Sequence, residues 1–467
     1  MKKIKVLLLS DDIRVMSGIG TMSKAFVMGT LDKYDWVQVA GAMKHPEQGK
    51  VIDFSSEAQK ESGVADASVK LYPVDGYGSQ QVLRDVIELE KPDAILHFTD
   101  PRFWDWLYAM EHEVRQQIPI MYYNIWDDLP FPHWNENAYE SCDLLMAISK
   151  QTYNINKEVC RRKPRIEGLD LTYVPHGIDE TMFTPVDQSA KEFLDFKSKV
   201  LSGKEYDFVA LFNSRNITRK HPADLISAFA KFASDLPEVD SKKVALVLHT
   251  DPVDQNGTDL YAVAKNLAPN VNVIFSSGKM DAKSLNYLYN MADVMCNPSS
   301  AEGFGLTHME AMMSGTPTIA SVIGGLQDQM GFVSNGEPLS VKDFTASIPS
   351  NSTGLISTDH GPWVYPLWPQ ITLQGSPKTP YIYDSRVSTK SIVAGLSYWY
   401  KKSSQIRSES GLIGRKWAIK NGFTSKSMCA EMIKSIDGCL KYWQPRQQFE
   451  LIDTNKNSVT YKSGVLI

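Results

Sequence analysis

The chain has 467 residues, which is enough for two or three globular domains. Its composition, 43% apolar and 22% charged, is typical of a globular protein. A net charge of -5 excludes a general basic surface for nucleic acid or anionic membrane, although a local basic patch stays open. Five cysteines without metal-binding spacing predict reduced thiols in a cytoplasmic protein.

The amino-terminal apolar run is interpreted as a buried strand. The apolar run within residues 1–10 is too short for the hydrophobic region of a signal peptide, and two acidic residues, Asp11 and Asp12, follow it directly. No other run approaches the length of a transmembrane helix.

The first half of the chain alternates apolar runs with amphipathic stretches, as expected for a parallel sheet covered by helices. Gly18 and Gly20 follow the first strand and precede a helix. This glycine pair is weak support for dinucleotide binding, because the third glycine position is Ser23 and the second strand ends in Lys44 and His45 rather than an acid. The predicted strands are 4–10, 36–42, 69–74, 92–97, 119–125 and 142–149.

Polar side chains stand at the carboxyl ends of two of these strands, where ligands of open α/β sheets bind. His97 and Asp100 follow one strand, and Trp126 and Asp127 follow another. Asp127 is the predicted cleft carboxylate of this half, with Asp128 as the alternative. A helix-capping role for these aspartates is the competing interpretation.

The second half repeats the pattern. Its predicted strands are 206–212, 244–250, 271–275, 292–296 and 318–322, and its predicted helices include 281–292, 391–400 and 425–440. The loop after its first strand is basic and contains Arg215, Arg219 and Lys220. Cations placed in this way are suited to bind an anionic group. A solvated basic loop is the alternative interpretation.

The stretch from Asn297 to Gln329 has the order strand, glycine loop, helix, strand, glycine loop. Gly303 and Gly305 allow close approach of a ligand to the backbone. The N–H groups at the start of the following helix favour a phosphate or diphosphate. Glu302 and Glu310 bracket this helix start and are suited to accept hydrogen bonds from hydroxyl groups.

This stretch resembles the E-x7-E signature of retaining glycosyltransferases of family 4. The matching segments are Pro298-Ser299, Glu302-Gly303-Phe304-Gly305-Leu306, Glu310-Ala311-Met312, Gly315-Thr316-Pro317 and Gly324-Gly325. Further matches are the strand 142–149 and the turn 173–179. The resemblance implies a GT-B fold, an α/β architecture in which two Rossmann-like, doubly wound domains face an interdomain cleft.

The resemblance also implies roles for individual residues. Glu302 would hold the donor sugar hydroxyls and Glu310 the nucleotide ribose, while Arg215 and Lys220 would reach the donor diphosphate. Asp127 stands where relatives often carry a histidine or an aspartate that meets the donor sugar, so the resemblance implies a catalytic role for it as well. No metal and no other cofactor would be required. The remaining donor-binding residues implied are Gly303, Phe304, Gly305, Leu306, Thr307, Gly18 and Gly20. His97, Asp100 and Trp126 are candidates for the acceptor side.

The predicted domains are 1–185 and 206–440, joined by a polar linker over 186–205. A tail over 441–467 follows, with a return to the first domain as one interpretation. Residues 330–390 depart from the family pattern and are interpreted as an insertion. Its aromatic content argues against disorder, so we expect an ordered flap over the cleft, with Trp363 and Trp368 as further acceptor candidates.

The predicted function is retaining transfer of a sugar from a nucleotide-diphosphate sugar, such as a UDP-sugar, to an acceptor hydroxyl. A saccharide or polymer is the expected acceptor. One alternative is a phage-type DNA glycosyltransferase acting on a hydroxymethylated base, for which DNA binding should be salt-sensitive. Another alternative, from a different class, is an inactive sugar-nucleotide-binding module.

Overall fold

The computed structural model describes residues 3–42, 44–160 and 166–446 of the chain. Within them, two parallel sheets form the centres of two α/β domains. In chain order the strands are β1 Ile4–Asp11, β2 Tyr34–Gly41, β3 Ile52–Asp53, β4 Val69–Pro73, β5 Ala94–Phe98, β6 Ile120–Asn124, β7 Leu144–Ala147, β8 Leu171–Tyr173, β9 Phe208–Asn213, β10 Val244–His249, β11 Asn272–Ser276, β12 Val294–Asn297, β13 Thr318–Ser321, β14 Val333–Ser334, β15 Glu337–Pro338, β16 Val364–Leu367, β17 Gln370–Ser376 and β18 Thr379–Arg386.

Helices cover both faces of these sheets. They are α1 Gly18–Met28, α2 Ser55–Ser62, α3 Gln80–Glu90, α4 Asp105–Ala109, α5 Glu111–Val114, α6 Glu136–Glu140, α7 Lys150–Val159, α8 Lys191–Val200, α9 Pro222–Ser234, α10 Glu238–Ser241, α11 Leu260–Leu267, α12 Ala282–Met291, α13 Leu306–Met313, α14 Thr389–Tyr400, α15 Ser404–Lys420 and α16 Ser425–Tyr442. The central strands are mostly apolar because both faces of a parallel sheet are buried.

Each sheet reverses its strand order beside its first strand. The first sheet runs β3-β4-β2-β1-β5-β6-β7-β8, with β3 antiparallel to its neighbour. The second runs β11-β10-β9-β12-β13-β16 and all of its pairs are parallel. A reversal of this kind opens a crevice at the carboxyl ends of the strands. The predicted doubly wound arrangement is therefore confirmed for both halves of the chain.

The segment 330–390, predicted as one insertion, is not a single insertion. Its residues Val364–Leu367 form β16, which pairs in parallel with β13 and completes the second sheet. Proline at position 366 and the flanking aromatic residues hide this strand in the sequence, because proline is uncommon in strand interiors. Two additions surround β16: an irregular segment before it and the β17–β18 hairpin after it.

The predicted linker 186–205 also differs from expectation, since it contains helix α8. Phe193 on this helix is buried and packs edge-on against Tyr287 of α12 at 5.7 Å between ring centroids. Of the lysines that suggested a polar connection, Lys191 and Lys199 are exposed and Lys197 is half-buried. Helix α15 is a further element without a counterpart among the predicted helices.

The chain returns to the first domain at its last helix. Ile178 donates its backbone N–H to Phe423 O at 2.9 Å, and Ser425 donates to Ile178 O at 3.1 Å. The Tyr34 hydroxyl then donates to Asp437 of α16 at 2.8 Å. The crossing thus precedes residue 441, where the predicted tail begins, and residues 447–467 of that tail lie outside the described residues.

Candidate active site

Loops from the carboxyl ends of both sheets enclose a cavity of about 720 Å³. This size is within the range of small-molecule sites in proteins. The first sheet contributes the loops after β1, β5 and β6, and the second contributes the loops after β9 and β12. The two crevices expected from the strand order therefore face each other and form one site.

The start of helix α13 offers free backbone donors to this cavity. Gly305 adopts φ +95°, a left-handed conformation that favours glycine, and so turns the chain into the helix. His308 and Met309 both donate to Gly305 O at 3.1 Å. The preceding N–H groups, those of Leu306 and Thr307, line the cavity and precede the first intrahelical bonds. Such a helix start is an anion-binding site.

A lysine–glutamate ion pair lies beside these donors. The Lys220 ammonium contacts the Glu302 carboxylate, and the Lys220 side chain is buried. Arg219 donates to Ala301 O at 2.6 Å, and its guanidinium lies 3.8 Å from the Glu302 carboxylate. The loop after β9 and the loop after β12 are thereby joined by two cations and one acid.

Local backbone geometry explains why Lys220 points into the cavity. Thr218–Lys220 form a single 3-10 turn, and His221 follows with φ +51°. Pro222 then occupies the first turn of α9, where its lack of an N–H has no cost. The sharp reversal at His221 leaves Lys220 at the end of the loop rather than on the helix.

A carboxylate of the first domain, Asp127, faces these cations. Burial raises the pKa of Asp127, and the charges of Arg219 and Lys220 lower it. Burial lowers the pKa of Lys220, as does the neighbouring Arg219, whereas Asp127 raises it. The acid and the cations therefore interact across the cleft. No helix begins directly after Asp127 or Asp128, so the helix-capping interpretation is wrong.

The paired glycines after β13 hold the acidic loop in place. Gly325 donates its N–H to Glu302 O at 3.0 Å. A Cβ on Gly324, which has φ +39°, would collide with Glu302 O and would lie 3.3 Å from Asp127 Cβ. Only glycine allows the backbone at this position to approach both Glu302 and Asp127.

Glu310 lies one helical turn further along α13 and does not line the cavity. The Tyr289 hydroxyl donates to its carboxylate at 2.5 Å and accepts from Asn213 at 2.7 Å. Burial raises the pKa of Glu310 to about 7, and the hydrogen bond from Tyr289 opposes this shift.

Replacing Glu310 by glutamine should stabilise the unliganded protein at alkaline pH. The folded-state pKa of about 7 exceeds the ordinary value of 4.5, so the folded state holds the proton more tightly. The free energy of unfolding of the wild type therefore falls as pH rises from 4.5 to about 7. We expect Glu310→Gln to recover on the order of 2 kcal/mol at about pH 8 and almost nothing at about pH 4.5, measured by denaturant unfolding.

The exposed Glu337 provides the matched control for this prediction, since Glu337→Gln removes the same charge from the surface. Its effect on unfolding should be small at both pH values. An equal gain from Glu310→Gln at both pH values would contradict the pKa of about 7 assigned to Glu310.

The structure brings together most of the predicted site residues. The predicted residues that line the cavity are Glu302, Lys220, Arg215, Asp127, Asp100, Trp126, Gly18, Gly303, Phe304, Gly305, Leu306 and Thr307. Arg215 differs from the other two basic residues of its loop, because its guanidinium is directed to Asp254 and not to the Glu302 loop. Its guanidinium pairs with Asp254 at 3.0 Å and its side chain is 63% exposed, whereas Arg219 contacts the Glu302 loop.

Five predicted positions lie elsewhere, and Glu310, described above, is one of them. His97 is fully buried, with its ring nitrogens 2.6 Å from the Tyr108 hydroxyl and 2.9 Å from that of Thr99, so its predicted acceptor contact is wrong. The other three predicted positions away from the cavity are Trp363, Trp368 and Gly20.

The reasons differ between these three. Trp363 is a core residue that donates its ring N–H to Gln329 O at 3.1 Å, and this excludes a surface acceptor contact. Trp368 packs against Phe332 at 5.8 Å between ring centroids. Gly20 is required because a Cβ would collide with the backbone oxygen of Val15, so it shapes the loop within its own domain.

Several cavity residues were not predicted. Arg102 stacks on Trp126 at 5.1 Å, pairs with Asp100 at 2.5 Å and donates to Thr379 of the β17–β18 hairpin at 2.7 Å. Its position just beyond β5 was a usable signal, because charged residues at carboxyl ends of strands reach such a cleft. The other residues not predicted include Ser17, His176, Asn213, Thr379 and Ile382. No pattern in the sequence predicts that Thr379 and Ile382 of the β17–β18 hairpin line this cavity.

Two absences concern the described part of the chain. Within residues 3–42, 44–160 and 166–446, no group of three or more His, Cys, Asp or Glu side chains could hold a metal ion. Over the same ranges, no helix combines the length and apolarity needed to cross a membrane.

The two facing Rossmann-like domains define the GT-B fold of glycosyltransferases, and solved structures share it. The Anabaena HepE structure with UDP-glucose is 14% identical with a TM-score of 0.62, and covers 93% of this chain and 99% of its own. Sucrose-phosphate synthase from Thermosynechococcus elongatus is 16% identical with a TM-score of 0.63, and covers 92% of this chain and 98% of its own. At these identities the likeness establishes the fold.

A family model matches part of the second domain. Residues 195–343 match the model described as Glycosyl transferases group 1. Over this segment the chain is similar to group 1 glycosyl transferases, in agreement with the predicted resemblance.

Curated relatives match over part of their length. Mannosylfructose-phosphate synthase from Agrobacterium fabrum is 27% identical over 195 residues, which are 40% of this chain and 39% of the relative. D-inositol 3-phosphate glycosyltransferase from Kribbella flavida is 26% identical over 242 residues, or 50% of each chain. The chain thus spans half or less of the length of these curated relatives.

Proposed function

We propose that this chain is a retaining glycosyltransferase of the family 4 type. It transfers a hexosyl group from a nucleotide-diphosphate sugar to an acceptor hydroxyl. The observation that carries the proposal is the Lys220–Glu302 pair beside the free amides of α13, inside the cavity between the two sheets. The group 1 match of residues 195–343 supports the same class of reaction.

Charge complementarity supports a diphosphate at this position. The donor diphosphate rests on the amides of Leu306 and Thr307, with Lys220 and Arg219 offsetting its charge. Glu302 accepts hydrogen bonds from the sugar hydroxyls. The ribose role predicted for Glu310 is not part of this proposal, because Glu310 is bonded to Tyr289 and does not line the cavity. UDP is the first nucleotide to test, because the Anabaena HepE structure of the same fold contains UDP-glucose.

Transfer with retention requires both bond changes on one face of the sugar. The bond between the anomeric carbon and the diphosphate oxygen breaks, and the electron pair leaves with the diphosphate. The acceptor oxygen bonds to the anomeric carbon from the same face, and its proton passes to the departing diphosphate. Lys220, Arg219 and the helix amides stabilise the charge that develops on the leaving group.

An inactive sugar-nucleotide-binding module is the competing function. Such a module needs no buried cation aimed at a leaving group. Lys220 is buried against Glu302, an arrangement with a desolvation cost that binding alone does not require. The geometry therefore favours an enzyme.

The test of this function is a panel of sugar nucleotides with UDP, GDP, ADP and dTDP as carriers. We expect one carrier to raise the melting temperature of the wild type and to be hydrolysed slowly without acceptor. The matched nucleoside monophosphate should bind much more weakly, since it lacks the second phosphate. Absence of binding by every carrier would overturn the proposed function.

The stereochemistry and the metal independence are tested on the same reaction. Proton NMR of the product should show the anomeric configuration of the donor, and an inverted product would exclude a retaining enzyme. Because Lys220 and Arg219 supply the positive charge, we expect EDTA to leave kcat unchanged. A rate that falls with EDTA and returns with Mg²⁺ would contradict metal-independent transfer.

A further inference from the structure

A second cavity, of about 370 Å³, adjoins the first at Asp127 and Asp128. Both aspartates and Ala301 line both cavities, so the two spaces meet at these residues. If the donor sugar lies beside Glu302, the second cavity is the adjacent space from which another molecule can reach it. This second cavity is named the serine pocket for its lining.

The serine pocket is built largely from the segments that depart from the family pattern. Its walls are the loop 347–355 and the β17–β18 hairpin, together with residues of both domains. The hairpin belongs to the second domain but bonds to the first: Tyr383 donates its N–H to Leu129 O at 2.6 Å, and the Tyr381 hydroxyl donates to Phe131 O at 3.3 Å. Arg386 anchors its end to Asp224 at 2.7 Å.

The lining of the serine pocket is rich in hydroxyl groups and amphipathic. Its hydroxyl-bearing residues are Ser300, Ser347, Ser350, Ser352, Thr353 and Ser385, beside the ring of Tyr383. Ile348 and Pro349 add apolar surface. Hydroxyl groups that both donate and accept, next to apolar faces, match the mixture of O–H and C–H groups on a sugar ring.

No lysine, arginine or histidine is among the described residues that line this pocket. Among the lining residues that the structure describes, the carboxylic acids are Asp127 and Asp128, and burial raises the pKa of both carboxyl groups. Whether charged or protonated, these carboxyls supply no positive charge. The cations of the first cavity, Arg219 and Lys220, do not line it. A phosphate placed here would lose water without gaining a cation.

We propose that the serine pocket binds the acceptor and that the acceptor is an uncharged, hydroxyl-rich saccharide unit rather than a sugar phosphate. This inference rests on the proposed transferase function. It separates this chain from the relatives whose names specify a phosphate on the sugar or inositol, mannosylfructose-phosphate synthase and D-inositol 3-phosphate glycosyltransferase. It also disfavours DNA, whose backbone carries a phosphate on every nucleotide.

The test measures product formation by mass spectrometry with the donor that binds in the nucleotide panel. Acceptors are supplied as matched pairs that differ only by a phosphate: glucose and glucose 6-phosphate, fructose and fructose 6-phosphate, inositol and inositol 3-phosphate. Neutral disaccharides and a duplex containing hydroxymethylcytosine complete the set. We expect kcat/KM to be at least tenfold higher for the neutral member of each reactive pair.

Two variants of Thr353, an exposed residue of the serine pocket, test whether the pocket causes the preference for neutral acceptors. Thr353→Lys adds a cation to the rim, and Thr353→Met adds comparable length without charge. Thr353→Lys should improve kcat/KM for the phosphorylated acceptors about tenfold relative to Thr353→Met. Leu373→Trp, at an exposed position of the β17–β18 hairpin that does not line the pocket, should leave both values unchanged.

The outcomes separate the two proposals. Three results would overturn the acceptor assignment if the donor still binds: a preference for phosphorylated sugars, product on DNA alone, or no product on any neutral saccharide. Each of them would leave the proposed donor site intact. Equal responses of Thr353→Lys and Thr353→Met would remove the pocket as the origin of selectivity. Absence of donor binding would instead overturn the proposed transferase function and the inference that depends on it.

Discussion

Replacing Lys220 by methionine is expected to lower kcat for sugar transfer by about 10²–10³-fold, the effect of removing one preorganised charge-stabilising donor. The Lys220 ammonium is buried against Glu302 and lines the same cavity as the first residues of α13, where the proposed diphosphate would gain charge as it departs. Methionine keeps most of the side-chain length but supplies no charge. Steady-state kinetics with the preferred donor measures the loss, and a variant with the wild-type kcat would contradict the role of Lys220.

Stability must be measured beside activity, because Lys220→Met leaves the Glu302 carboxylate without its ammonium. We expect a loss of about 1–3 kcal/mol, below the ~3–5 kcal/mol of a broken buried pair, since Arg219 remains 3.8 Å away. The double variant Lys220→Met/Glu302→Gln should recover the stability but not the activity. Lys242→Met, which breaks an exposed pair with Glu238, should change neither.

The second large effect is expected at Gly324. A Gly324→Ala methyl group would collide with Glu302 O and press on Asp127, so the loop that carries Glu302 must move. A displacement of about 1 Å near the reacting atoms can cost on the order of 10²-fold in rate, and we expect kcat/KM to fall by at least this factor. The unfolding free energy should also fall by about 1–3 kcal/mol, because alanine is strained at φ +39°.

Gly336→Ala is the matched control for the backbone strain. Gly336 has φ +84° and nothing within 4 Å of a Cβ, so alanine meets the same kind of strain without a collision. Stability should fall by about 1 kcal/mol while kcat/KM stays at the wild-type value. If Gly324→Ala and Gly336→Ala had equal effects on kcat/KM, the proposed contact between Gly324 and the Glu302 loop would have no catalytic importance.

The elements most accurately predicted from the sequence are those whose signals are local. The strands predicted over 4–10, 119–125 and 206–212 are β1, β6 and β9, displaced by one or two residues at the ends. Apolar runs bounded by polar residues define such strands because both faces are buried in a parallel sheet. The short strand β16 was missed because proline interrupts it and its pairing partner is more than forty residues away in sequence.

The part of the candidate site that was predicted correctly also depends on residues close together in the sequence. Glu302, Gly303 and Gly305 belong to one continuous motif, so their arrangement around the start of α13 could be anticipated. The sequence could not show whether Arg215 or Arg219 reaches the Glu302 loop. That choice depends on Asp254, which forms an ion pair with Arg215 at 3.0 Å. His97 was misplaced because its position at a strand end does not reveal which face of the sheet it occupies.

The doubly wound domains and the anion-binding start of α13 could be derived from the amino-acid sequence alone. Both depend on apolar periodicity and on residues near one another in the chain. The folded structure was needed to show that the β17–β18 hairpin crosses to the first domain and that a pocket without described cations adjoins Asp127. Both depend on contacts between residues hundreds of positions apart, and such pairings arise from packing between domains rather than from any local pattern.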